Sequence, residues 1–184
     1  MTTNLTRATG RTIAIASVFG IVMTMSARPI AHTRAPSSLR CDGTWLSRTA
    51  EQGLARSGTL RSLIAELERA HVIVFARISH DLASGIGGRT RFVGHGDGWR
   101  FLSIEIDDRR PKVDVLSMLG HELQHAVEVA RTPEVVDDET LGALYERIGF
   151  CRKVCKCQAD LETQAAIDVE KRVYTELFVG RSED

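Results

Sequence analysis

The stretch His121-Glu122-Leu123-Gln124-His125 decides how this chain reads. Residues four apart on a helix share a face, so its two imidazoles point the same way and can grip one metal ion. Glu122 follows His121 and lies beside that face, within reach of a water on the ion. The residue types suit the chemistry. Neutral imidazole nitrogens favour Zn²⁺, and a carboxylate can take a proton from a water whose pKa the ion has lowered to about 7. Three protein ligands plus water make the expected catalytic shell.

The flanking sequence predicts a helix. Asp114 offers a side-chain oxygen as N-cap, and Val115, Leu116, Leu119, Leu123, Ala126, Val127 and Ala130 recur at three- and four-residue steps. Pro133 ends the pattern, because Thr132 before it is pushed out of the α region. Gly120 costs about 1 kcal/mol against alanine in a helix interior. Without a Cβ it lets another segment approach the helix closely.

The third ligand must come from elsewhere. The extended motif with a glycine and a third histidine further along the helix is excluded, since Glu128 and Arg131 occupy those positions. The remaining common solution is an acidic residue from a second helix. Asp160-Leu161-Glu162-Thr163-Gln164-Ala165-Ala166 offers Glu162, with Asp160 as the other candidate. A glutamate followed by small alanines that let its helix pack close to the first is similar to the gluzincin branch of zinc metallopeptidases. The resemblance covers the two helices, which lie within a span of somewhat over a third of the chain, and is specific at His121, Glu122, His125 and Glu162. It implies that His121, His125 and Glu162 bind zinc and that Glu122 is the general base. Members of that branch often carry an aspartate four residues after the ligand glutamate, orienting a zinc histidine. Here that position is Ala166, and Glu128, seven residues after His121, returns to the same helical face and can substitute.

Other metal chemistries fit less well. Glu122 and His125 form the Glu-x-x-His unit of di-iron bundles, but no second copy exists. A structural zinc site closes with four protein ligands, often cysteines, and none lies near the motif. A metal-binding protein without turnover is the remaining alternative, and an open cleft at Glu122 discriminates against it.

At the N-terminus Arg7 and Arg11 precede an uncharged apolar stretch, Thr12 to Ala27, which reads as a signal peptide over residues 1–27. The expected location is therefore secreted or periplasmic, with no stable membrane association unless the segment stays uncleaved as an anchor. Removing it leaves 22 basic against 24 acidic residues, since Arg7 and Arg11 are the only charges lost. A balance so near zero gives no reason to expect nucleic-acid binding. The four cysteines fit an oxidising compartment as two disulfides, Cys41 to Cys155 or Cys157 and Cys151 to the other. A second zinc held by four thiolates is the competing reading.

The rest sketches a small α+β domain. A helix spans Leu60 to Leu67, capped near Ser57 or Thr59. Strands are expected over Val72 to Ile78, Arg89 to Val93 and Arg100 to Ile106, the last two joined by Gly94-His95-Gly96-Asp97-Gly98. Helices follow over about Asp138 to Ile148 and Ala159 to Phe178. The expectation is a three-stranded sheet packed with three or four helices, zincin-like by the resemblance. Residues 57–184 would form the metallohydrolase domain and 28–56 an extension, flexible over Arg28 to Leu39. The function that follows is zinc-dependent hydrolysis of a peptide or other amide substrate. Zinc-bound water, deprotonated by Glu122, attacks a polarised carbonyl, and Glu122 passes the proton to the leaving amine. Tyr145, with His95 and Arg100 behind it, is the candidate for stabilising the oxyanion.

Overall fold

The computed structural model describes residues 37–151 and 161–179. It is an α+β domain with a mixed four-stranded sheet and five helices, in the order β1 (Leu39–Cys41), α1 (Thr44–Arg56), α2 (Gly58–Arg69), β2 (Val72–Ser79), β3 (Gly88–Gly96), β4 (Trp99–Asp107), α3 (Lys112–Ala130), α4 (Asp138–Ile148), β5 (Phe150–Cys151), β6 (Leu161–Glu162) and α5 (Gln164–Val179). The sheet order is β1-β2-β4-β3, with β1, β2 and β4 parallel and β3 antiparallel at the edge. The two-residue strands β5 and β6 pair separately.

Alternation decides which sheet face is covered. Val72, Val74 and Ala76 of β2 and Leu102, Ile104 and Ile106 of β4 are buried with Leu60, Leu63 and Leu67 of α2 and with α3. On the opposite face Phe75 is exposed, and Glu105 is held between Arg77 and Arg89. The β3–β4 hairpin turns at Asp97 and Gly98, both at positive φ, which matches the twist of the flanking strands. A bulge beside Val93 shifts the register between Phe92 and Gly94.

Helix α3 is buried from Val115 to Val129. A helix apolar nearly all round belongs inside a fold, and its polar exceptions are Ser117, His121, Glu122, Gln124, His125 and Glu128. It begins earlier than expected, with Pro111 as N-cap and Asp114 in the first turn. Arg100 closes its end, the guanidinium donating to the carbonyls of Val129 and Ala130 and, just beyond the helix, of Thr132. Gly120 admits α5: a Cβ there would lie 2.8 Å from Cγ2 of Val173.

Three expectations need correction. The sheet has a fourth strand, β1, and α1 precedes the helix capped by Ser57, so the stretch read as an extension contributes elements from Leu39 onward. Leu46 and Ala50 of α1 are core residues, and a Cβ on Gly53 would lie 2.7 Å from Leu116 of α3. The last helix starts at Gln164, not near Ala159, so Glu162 stands on β6 with Thr163 capping the helix through Ala166 N. Ala166, Val169, Val173 and Leu177 make its buried stripe, while Ala165 is exposed.

The segment 1–27 lies outside the described residues, as do Cys155, Cys157 and Asp160. No disulfide joins two described residues; burial, with Glu51 nearby, pushes the half-buried Cys41 thiol up to about 11. Among the described residues, no helix is long and apolar enough to cross a membrane.

Candidate metal centre

One turn of α3 places His121 and His125 with their Nε2 atoms 3.2 Å apart. Oε2 of Glu162 approaches from β6 to 3.1 Å from Nε2 of His121. The three side chains each offer one ligand atom within 4.8 Å of the others, so the cluster could hold a metal ion. The histidines are 2% and 6% exposed, which removes water as a competing partner.

The other edge of each ring shows why Nε2 would be the ligating atom. Nδ1 of His121 lies 3.1 Å from Oε2 of Glu170 on α5, and Nδ1 of His125 lies 2.9 Å from Oε2 of Glu128. A carboxylate there holds the proton on Nδ1 and turns the Nε2 lone pair inward, the usual outer arrangement of a metal-bound imidazole. Thr163 donates to the other oxygen of Glu128 at 2.7 Å. Two imidazole lone pairs and a carboxylate oxygen converging in a buried space repel one another unless a cation or proton joins them, and this donor set fits a divalent metal. Without a metal a proton takes that place. Burial alone would lower the pKa of His121, but hydrogen bonds to Glu162 and Glu170 and the charge of Glu122 push it up to about 10.

Glu122 lies beside this face. Thr90 of β3 donates to its Oε2 at 2.7 Å, and Gly88 makes room for Oε1, since a Cβ there would lie 2.5 Å away. Burial raises the Glu122 carboxyl above its ordinary value, opposed by His125, His121 and the Thr90 hydrogen bond. Although only 4% exposed, Glu122 lines two hollows that meet at the site. The larger, about 480 Å³, runs past Thr90, Arg91, Leu141 and Tyr145; the smaller, about 160 Å³, runs past Gly87, Arg110 and Met118.

Of the three oxyanion candidates only Tyr145 lines these hollows. Its hydroxyl donates to the backbone carbonyl of His125 at 3.2 Å, and its ring stands edge-on to the His125 ring at 5.0 Å. Burial pushes its pKa far up, so the phenol stays a neutral donor. Arg100 is engaged at the end of α3, and His95 sits beside Phe92 near the hairpin turn.

Sequence reasoning brought His121, Glu122, His125 and Glu162 together and named Glu128. It missed Glu170, Thr90 and Thr163. A glutamate on an amphipathic helix carries no mark of a histidine partner, and only Gly120 signalled that α5 would come so close. Compared with family models, with curated proteins and with solved structures, the chain matches none. What the site can do therefore follows from its own residues.

Proposed function

We propose that this chain is a secreted or periplasmic zinc-dependent hydrolase, similar to the gluzincins, that cleaves amide bonds in peptides. One observation carries the reading: Nε2 of His121, Nε2 of His125 and Oε2 of Glu162 converge while both Nδ1 atoms rest on carboxylates, next to a glutamate in the wall of a cleft. Two imidazoles and one carboxylate suit zinc and leave a coordination position open. When bound, zinc supplies Lewis-acid polarisation of a carbonyl and lowers the pKa of water to about 7.

The remaining work belongs to the chain. Glu122 takes the proton of the attacking water and returns it to the leaving amine. Its raised pKa suits a base that must become an acid within the same turnover. Thr90 fixes the carboxylate through Oε2. Tyr145, which lines the larger hollow, would stabilise the developing oxyanion by turning its hydroxyl from the His125 carbonyl. Edge strand β3 supports a peptide substrate. Phe92 N points away from β4 toward Asp138, so by period two Gly88 and Thr90 also direct their N–H groups outward, where an extended chain can pair. Arg7 and Arg11 before an apolar run support export.

The test is a cleavage profile of a mixed peptide library by the zinc-loaded protein, read by mass spectrometry, beside Glu122→Gln. Cleavage abolished by chelation and by Glu122→Gln, with metal retained in the variant, is expected. Tight zinc binding with no cleavage of any library member would leave a metal-binding protein without turnover.

A further inference from the structure

Five arginines near the sheet and α3 have engaged guanidinium groups: Arg77 and Arg89 on Glu105, Arg109 on Asp107, Arg131 on Glu66, and Arg100 on carbonyls. Arg110 is different. It is half-buried and makes no hydrogen bond or ion pair among the described residues, yet it lines the smaller hollow together with His121 and Glu122. Its guanidinium lies against Gly87, where a Cβ would come within 2.5 Å of Nη2 and 2.7 Å of Cζ. The next residue, Gly88, gives the same room to Oε1 of Glu122. Two consecutive glycines thus seat a cation and the general base at neighbouring backbone positions. Both groups line the one small hollow, so a ligand seated in it meets the guanidinium and the carboxylate together.

The other charged groups of the hollow have partners: Glu162 and Glu170 lie 3.1 Å from the two nitrogens of His121, and Glu122 accepts from Thr90. The guanidinium is the group left to meet a ligand, and its planar fork pairs with a carboxylate through two parallel hydrogen bonds. Size narrows the choice. A hollow of about 160 Å³ is close to the cavity of about 150 Å³ that takes benzene, with as many heavy atoms as alanine. The larger hollow, about 480 Å³, holds the longer part of a chain.

Building on the hydrolase reading above, we propose that Arg110 anchors the terminal carboxylate of the substrate, so that the enzyme removes one small residue from the C-terminus of a peptide. Each turnover consumes one water. The C–N bond of the last peptide linkage breaks, the acyl carbon gains hydroxyl, and the released amino group gains the proton that Glu122 carried.

The test compares N-acetyl-trialanine as free acid and as C-terminal amide with the zinc-loaded protein. The free acid should be preferred by about 100-fold in kcat/KM. Arg110→Met should reduce the preference below about tenfold, and Arg110→Lys, which keeps charge but loses the fork, should retain part of it. In the metal-free protein, the Arg110 Nε–H resonance should shift on titration with N-acetyl-alanine and not with its amide. Equal rates on acid and amide, a preference unchanged in Arg110→Met, or no resonance shift would overturn the proposal. If neither substrate is cleaved the hydrolase reading falls, and the titration still decides whether Arg110 binds a carboxylate.

Discussion

Thr163 donates to Oε1 of Glu128 at 2.7 Å while Oε2 of the same carboxylate lies 2.9 Å from Nδ1 of His125. The residue next to the third candidate ligand therefore steadies the second. Glu128→Gln should lower zinc affinity by about 10- to 100-fold, and Thr163→Val by about tenfold, with the fold intact. Competition against a chelating dye reads both, and wild-type affinity in both variants would show that Glu128 does not tune the site.

Glu122→Gln and His121→Ala separate chemistry from binding. The first should keep one equivalent of zinc and lose about 10²- to 10⁴-fold in kcat; the second, like His125→Ala, should lose metal by orders of magnitude. Metal content by atomic absorption alongside turnover checks the pair. Zinc retained at one equivalent in both histidine variants would remove the site.

Gly120 is where α5 meets α3. Gly120→Ala gains about 1 kcal/mol in helix propensity, but its new methyl meets Val173 at 2.8 Å, an overpacking worth about 1–3 kcal/mol. Because Glu170 rides on the displaced helix, zinc affinity should fall together with Tm. A variant that melts higher and binds zinc as before would contradict the close approach.

Glu105 supplies a pH dependence remote from the site. Its desolvation raises the pKa, but hydrogen bonds and charge from Arg89 and Arg77 outweigh it and hold the carboxyl below its usual range. A depressed folded pKa means stability present above the unfolded value near 4.3 and lost as pH falls through the folded one. Glu105→Gln should cost about 1–3 kcal/mol at pH 7 and flatten the urea-unfolding profile below pH 4. An identical acid limb in wild type and variant would assign that loss to other groups.

What could be read from sequence followed the strength of the period. Helix α3 and strands β2 and β4 were legible because burial imposes a repeat on many residues at once. Helix α1 was not: Leu46, Ala50 and Gly53 face the core, and small residues leave little apolar signal. The three-residue β1 and two-residue β6 are too short for any period, which is why Glu162 was read on a helix. The two histidines follow from a spacing within one turn, whereas Glu170 and Thr90 reach His121 and Glu122 across 49 and 32 residues. Such pairings exist only once the chain has closed on itself.

That closure has an order in time. Helix α3 brings both histidines, the base and Glu128 together, but Glu162, Thr163 and Glu170 belong to the segment that follows. A ribosome releases the chain from its N-terminal side, so the helix with the reactive groups emerges before the residues that complete it. Until β6 and α5 dock, two of the three candidate ligands are present without the third. For the zinc hydrolase we propose, a partly made or partly translocated molecule cannot hold its ion firmly, and hydrolysis begins only when the last helix has joined the fold.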